Sequence, residues 1–397
     1  MVKFRDDMIA KRALSIAEEA KQVEPGGKVS FSGFEFYGAL GLLEDCVDFH
    51  PEIPQSEVRG LVWGSLVECA RSGKITADRF LPVAKKQELG LLRRKKRRYV
   101  VITSLSASPS LELHGSRSFR ASITLPVRLP RRFEAERTRI MKRARQSLHA
   151  SPPEKYRPVR ISAMARSMDE AADVALRAFD TLRGIWNLAR NLARGQRETV
   201  SGKRKPVNGF LLGPVHTVHL PSGAIERERW WYEPDYCGGI SPVGPDERLE
   251  KAIHSVQRYI LKRLSKISYR SDLEEMIRRY NESLDERSWE TAFLKLWYVL
   301  ELGTDKPKYF TDVTRRVASL FRDWEWHRAV LNDLRERRNS MIHRAESFET
   351  IERLLYSLKE YAERLVLFHL TKADETHQTE SPRLRWPVIG ARTPRQS

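Results

Sequence analysis

Beyond residue 246 the apolar residues recur at intervals of three and four, and this period restricts the possible folds more than any other feature of the chain. Leu249, Ile253, Val256, Ile260 and Leu264 make one stripe. Ser288 reads as the N-cap of a second helix carrying Phe293, Leu296, Trp297 and Leu300, with Gly303 as its stop. A third helix runs from Thr311 or Asp312 to about Phe321, and a fourth from about Trp324 to Arg344. The last carries Ile351, Leu354, Leu355, Leu358, Tyr361, Leu365 and Phe368. Helices with such stripes are stable only when the stripes cover one another, so 246–370 is predicted to be an antiparallel helical bundle. The stretch 371–397 lacks the period and is predicted to be a disordered tail.

The N-terminal part follows other rules. Residues 1–90 read as a small helical region, with helices over 6–22, roughly 36–49 and 56–72, the last stopped by Gly73. Residues 91–240 read as mixed α/β. Tyr99 to Leu105 is β-branched, and Phe119, Ala121, Ile123, Leu125, Val127 and Leu129 alternate with more polar residues as in a half-buried strand. Val159, Ile161 and Ala163 give a further strand. Ser167 and Glu170 form a capping box opening a helix whose stripe is Val174, Ala178, Leu182, Ile185, Ala189 and Leu192. A hairpin is predicted for 216–220 and 224–232 around Pro221-Ser222-Gly223, and the Gly- and Pro-dense 233–245 marks a boundary. The expected fold class is therefore α+β, a helical and mixed α/β region followed by a C-terminal helical bundle.

Seventy-one basic against fifty-two acidic side chains leave a formal charge of +19 on 397 residues, which favours a polyanionic partner. Fifty of the cations are Arg, whose planar fork matches phosphate oxygens. The run Arg93, Arg94, Lys95, Lys96, Arg97 and Arg98 is either a solvated linker or an anion-binding segment. Trp230, Trp231 and Tyr232, near Arg227 and Arg229, either pack or stack on bases. No apolar stretch reaches the ~18 residues of a membrane span, and no secretory signal or lipidation motif opens the chain. Cys46, Cys69 and Cys237 are too few and too scattered for a disulfide framework, so a cytoplasmic protein without a membrane anchor is expected. Cys46 with His50, and His216 with His219, are the nearest approach to a zinc pattern, and core and strand positions account for them better. A P-loop, a Gly-rich dinucleotide turn and a nucleophile elbow are all missing, so no cofactor or metal is called for.

Arg-x4-His joins a cation able to hold a phosphate to an imidazole able to move a proton near neutral pH. Composition alone gives about 1.3 such pairs by chance, and the chain has three: Arg322/His327, Arg338/His343 and Arg364/His369. The second lies in RNSMIH, on the helix before the last. That string, with LKLWYVLELG at 294–303, TRRVASLF at 314–321 and the closing helix, resembles the HEPN family, the higher-eukaryote and prokaryote nucleotide-binding domain, over about 285–370. Within that family the layout is similar to the Apea-like group of bacterial defence proteins. The resemblance implies a metal-independent endoribonuclease acting as a homodimer, often a toxin or antiviral abortive-infection effector, with Arg338 and His343 as the catalytic pair and Asn339 as the polar residue after the arginine. Some members of the family only bind RNA, so a non-catalytic RNA- or DNA-binding protein dimerising through the helical domain is the alternative. Arg335 and Arg337 would add to RNA binding, and the N-terminal region could sense a phage or host trigger.

At about 100° per residue Asn339 and His343 share a face, whereas Arg338 and His343 diverge by roughly 140°. Arg338 instead continues the stripe of Leu331, Leu334 and Met341. Three arrangements accommodate a charge there: a cleft between two subunits, a break in the helix, or burial of Arg338 beside a carboxylate such as Glu301.

Overall fold

The structure, a computed structural model, describes residues 2–107, 116–148, 156–192, 207–233, 236, 246–304, 310–344 and 346–372. The chain is mixed α/β and mostly helical. Its contacts divide it into two compact units, Met1–Val100 with Ala163–Val174, and Val101–Ser162 with Ala175–Ser397. Cys237, most of the 233–245 loop and the predicted tail from residue 373 onward lie outside the described residues.

The first unit begins with β1 (Lys3–Phe4), α1 (Asp7–Ala20), β2 (Lys21–Val23), β3 (Val29–Phe31), α2 (Phe34–Cys46) and β4 (Val47–Asp48), followed by α3 (Gln55–Ser72) and α4 (Ala77–Leu92). Asp6 caps α1, its Oδ1 accepting from the Met8 and Ile9 amides, which satisfies donors the helix cannot. Two helices predicted as longer end early because the chain turns into short strands: β2 pairs with β3, and β1 pairs with β4. Gly73, at φ 136°, stops α3 where expected. The sequence reading passed over α4, which buries Phe80, Ala84 and Leu91. Phe31 stacks on Phe36 at 4.5 Å, and Trp63 meets both rings edge-on.

Next along the chain come β5 (Arg97–Leu105), β6 (Ser116–Ser118), β7 (Ala121–Thr124), α5 (Arg131–Leu148), β8 (Arg157–Ala165), α6 (Met168–Leu192), β9 (Val215–His219) and β10 (Trp230–Tyr232). The strands form one sheet in the order β10-β9-β5-β8-β7-β6. The predicted strand over 119–129 is corrected to the four residues of β7. Ser118 pairs with Ala121, and Phe119 and Arg120 between them have positive φ, so they form a two-residue hairpin turn. Pro126, which has no amide to donate, follows soon after the strand ends. The capping box opens α6: Glu170 N–H donates to Ser167 Oγ at 3.0 Å, and Arg166 N–H donates to Glu170 Oε2.

The predicted hairpin pairs as β9 with β10, Trp231 opposite His216, but its second strand is corrected from 224–232 to the three residues Trp230–Tyr232, so the connection spans 220–229 rather than a tight turn at 221–223. Gly223 in its connection has φ 99°, and a Cβ there would lie 2.0 Å from the Arg132 carbonyl oxygen near the start of α5. His219, whose ring Nδ1 donates to the Gly223 carbonyl, meets Phe133 edge-on. Replacing Gly223 by alanine is therefore expected to destabilise the second unit by roughly 1–3 kcal/mol, because it adds left-handed strain and pushes α5 off the hairpin. A urea midpoint equal to wild type would contradict this packing.

The helical part of the second unit comprises α7 (Glu247–Leu264), α8 (Arg270–Asp285), α9 (Trp289–Gly303), α10 (Phe310–Ala318), α11 (Trp324–Arg344) and α12 (Ile351–Lys372). The periodic reading located five of these six. It missed α8, although Leu273, Met276, Ile277, Tyr280 and Leu284 carry the same spacing and are buried. Ser288 caps α9 as expected, accepting from the Thr291 amide. Helix α9 packs against both α8 and α12, burying Phe293, Leu296, Trp297 and Leu300. Gly184 brings α6 close to α8, since a Cβ there would stand 2.7 Å from the Ile277 carbonyl oxygen.

Candidate functional site

The three Arg-x4-His pairs have different surroundings. His327 accepts or donates at the Tyr361 hydroxyl at 2.8 Å and stacks on Phe321 at 3.9 Å, so its imidazole belongs to the packing of α11 on α12. His369 bonds the Gly303 carbonyl at 2.7 Å and the Tyr269 hydroxyl at 3.3 Å, and burial pushes its pKa down. Both imidazoles are occupied within the fold. His343 is exposed, in the last turn of α11, and has no hydrogen bond or ion pair among the described residues. Its ring is open to solvent and to a ligand.

Helix α11 is continuous from Trp324 to Arg344, so no break rotates Arg338 toward His343. Arg338 stays on the stripe of Leu331, Leu334 and Met341, all buried. Its Nη2 lies 3.8 Å from Glu301 Oε1 on α9, with both side chains about one-fifth exposed (18% and 21%). The same Glu301 oxygen accepts from Trp297 Nε1 at 2.8 Å. Arg338 Nη1 also donates to Asn339 Oδ1 at 3.2 Å. Of the arrangements considered from the sequence, burial beside Glu301 is thus present. The pair is loose, and the guanidinium keeps part of its surface in solvent. Within a single chain Arg338 and His343 leave the helix about 140° apart.

The other predicted RNA-binding residues are placed as follows. Arg335 pairs with Glu336 at 2.8 Å, and Arg337 lies 3.5 Å from Asp333 and 5.0 Å over the Phe348 ring, so each has an acidic neighbour on its own helix. Arg93–Arg98 span the end of α4, a tight connection and the start of β5 in the first unit, and all six are exposed. Lys96 approaches Glu170 at 3.8 Å, and Arg97 donates to the Tyr99 hydroxyl. Trp230 and Trp231 are half-buried on the edge strand β10, while Tyr232 is exposed.

His216 and His219 sit inside β9, every residue of which is buried, bonded to Thr103 and to Thr217 and Gly223 respectively. Cys46 is buried in the core of the first unit, and the His50 ring accepts the Glu52 amide. Among the described residues no three His, Cys, Asp or Glu side chains converge as metal ligands would. No described helix is long and apolar enough to cross a membrane.

The sequence reading missed α5 altogether. Its apolar positions are few, and the signal that could have found it is charge: seven Arg or Lys against two Glu in eighteen residues.

No protein-family model, no curated protein and no solved structure matches this chain. Any functional reading therefore rests on the residues themselves.

Proposed function

We propose that the protein is an endoribonuclease cutting RNA without a metal ion, with Arg338 and His343 drawn from two copies of the chain at each scissile bond. The observation that supports this reading is that His343 alone, among the histidines of the three Arg-x4-His pairs, is exposed and has no hydrogen bond among the described residues. In the reaction the imidazole takes the proton of a ribose 2′-hydroxyl, the 2′-oxygen bonds to phosphorus, and the bond from phosphorus to the 5′-oxygen breaks as the imidazolium returns that proton to the departing 5′-oxygen. Arg338 exchanges its loose contact with Glu301 for the phosphate and offsets the charge developing on it. Asn339, about 40° around the helix from His343, orients the imidazole or the RNA. The products carry 2′,3′-cyclic phosphate and 5′-hydroxyl ends.

Trp324, Trp326 and Ile342 leave apolar surface open on the helix that bears the motif, which suits pairing with a second copy. With the likeness of RNSMIH to the HEPN motif, this favours a homodimeric, HEPN-like bundle acting in the cytoplasm as an antiviral or abortive-infection effector, its N-terminal region answering a phage or host trigger. The second reading, a non-catalytic RNA- or DNA-binding protein, is favoured by one feature: the Arg338–Glu301 pair gives the arginine a structural role.

The two readings separate when purified protein is incubated with RNA in EDTA. Fragments ending in 2′,3′-cyclic phosphate support the nuclease. A mobility shift without new fragments selects the binding protein.

A further inference from the structure

A cleft of about 1120 Å³ opens beside α5, lined by Arg128, Arg131, Arg137, Lys142 and Arg145, with Glu134 as its one carboxylate among the described residues. Helical spacing places Arg131, Glu134, Thr138, Met141 and Arg145 on the face of α5 that borders it. The other face is treated differently. There Arg139 and Arg143 both pair with Glu228, and Arg139 also with Glu136. The fold thus supplies carboxylates to the cations turned away from the cleft and none to Arg128, Arg131, Lys142 or Arg145, which have no ion pair among the described residues.

Arg137 is the cation of this cleft that reaches the sheet. Its guanidinium donates to the Ile102 carbonyl and Thr217 Oγ1, each at 2.8 Å, and to the Val215 carbonyl at 3.1 Å, with no ion pair among the described residues. Burial pushes its pKa down to about 10, the direction expected of a cation short of counter-charge. A positive charge held at the sheet by neutral oxygens alone, under four further cations, is stabilised by an anion in the cleft. Leu129, Met141 and Pro158 add apolar wall against which a flat ring can lie. The cleft exceeds the ~300–1,000 Å³ usual for a small ligand, which leaves room for more than one nucleotide unit.

We propose that this cleft binds the phosphates of a nucleotide ligand, supplied by a single-stranded RNA segment or by a free nucleotide. The inference does not depend on Arg338 or His343, and its test reads binding alone.

Full-length protein is titrated into a fluorescent 2′-O-methyl RNA 12-mer, which cannot be cut through its 2′-oxygen, and separately into a fluorescent ATP analogue. The variant Arg131→Glu/Lys142→Glu/Arg145→Glu changes exposed positions only, and circular dichroism checks its fold. It is expected to weaken at least one probe by about tenfold or more and, for RNA, to reduce the slope of log affinity against log salt by about 2, near 0.7 per lost contact. The control Arg12→Glu/Arg258→Glu/Lys266→Glu removes equal charge elsewhere and is expected to stay within about threefold of wild type. Loss confined to RNA identifies a strand, and loss of the ATP analogue identifies a nucleotide. Failure of the wild type to bind either probe, equal losses in both variants, or no loss in the cleft variant would overturn the proposal.

Discussion

His343→Ala is expected to lower RNA cleavage by about 10²–10⁴-fold, the usual contribution of a positioned general acid or base. Arg338→Ala should cost a comparable factor through loss of charge stabilisation on the phosphate. The informative experiment combines them. If each scissile bond takes its arginine from one copy and its histidine from another, a mixed dimer of the two inactive variants rebuilds one complete site out of two. Half the dimers in an equal mixture are mixed, so co-expression should restore about a quarter of wild-type activity. Helix α11 runs unbroken through both residues with Arg338 on its covered side, which favours this outcome over a site complete within one chain. Co-expressed variants as inactive as either alone would sink the shared-site reading. Unchanged cleavage by His343→Ala would sink the nuclease reading as a whole.

Arg183→Met is expected to be the most damaging single substitution for stability, at about 3–5 kcal/mol, because it removes a buried cation from between two largely covered carboxylates. Arg183 lies on α6 and is 1% exposed. It binds Asp285 through two nitrogens at 2.9 and 3.0 Å, Asp180 at 2.5 Å and the Phe210 carbonyl at 2.8 Å. Asn187, Asn208 and Asn281 extend the cluster, with Asn208 donating to Asp285 at 2.7 Å. Burial pushes the Asp285 carboxyl up to about 7, against the pull of Arg183, and raises Asp180 as well. Removing the arginine raises both further. A carboxyl whose folded pKa exceeds its unfolded value binds more protons when folded, so its contribution to stability falls as pH rises through that interval. The Arg183→Met deficit should accordingly be greatest at pH 7 and above and shrink toward pH 5. Adding Asp285→Asn should recover part of it. Denaturant midpoints for the single and double variants at both pH values check this, and a single variant as stable as wild type, or a deficit growing toward acid, would contradict it.

This cluster also shows where reading by period stops. Of the predicted α6 stripe, Ala178, Leu182, Ile185 and Ala189 are buried and Val174 is half-buried. Arg183 and Asn187 on the same helix are buried as deeply, yet nothing in their spacing marks them, because their burial depends on carboxylates and amides contributed by α8 and the segment before β9. Helix α5 escaped for the opposite reason. Its lining residues are cations that no periodic rule assigns to an interior, and they gather around a cleft only because the helix packs on β9.

The motif divides along the same line. Local order along the chain was enough to set the helical stripes beyond residue 246, the Ser288 cap, the Gly73 stop and the angle between Arg338 and His343, since each depends on neighbours within a few residues. Which of three Arg-x4-His histidines stays open was decided only by tertiary packing. Tyr361, Phe321, Gly303 and Tyr269 occupy His327 and His369, and Glu301 reaches Arg338 from another helix. A side chain's periodicity states which way it points. What it meets there is set by partners distant in sequence, and those partners determine whether a histidine packs or stays free to react.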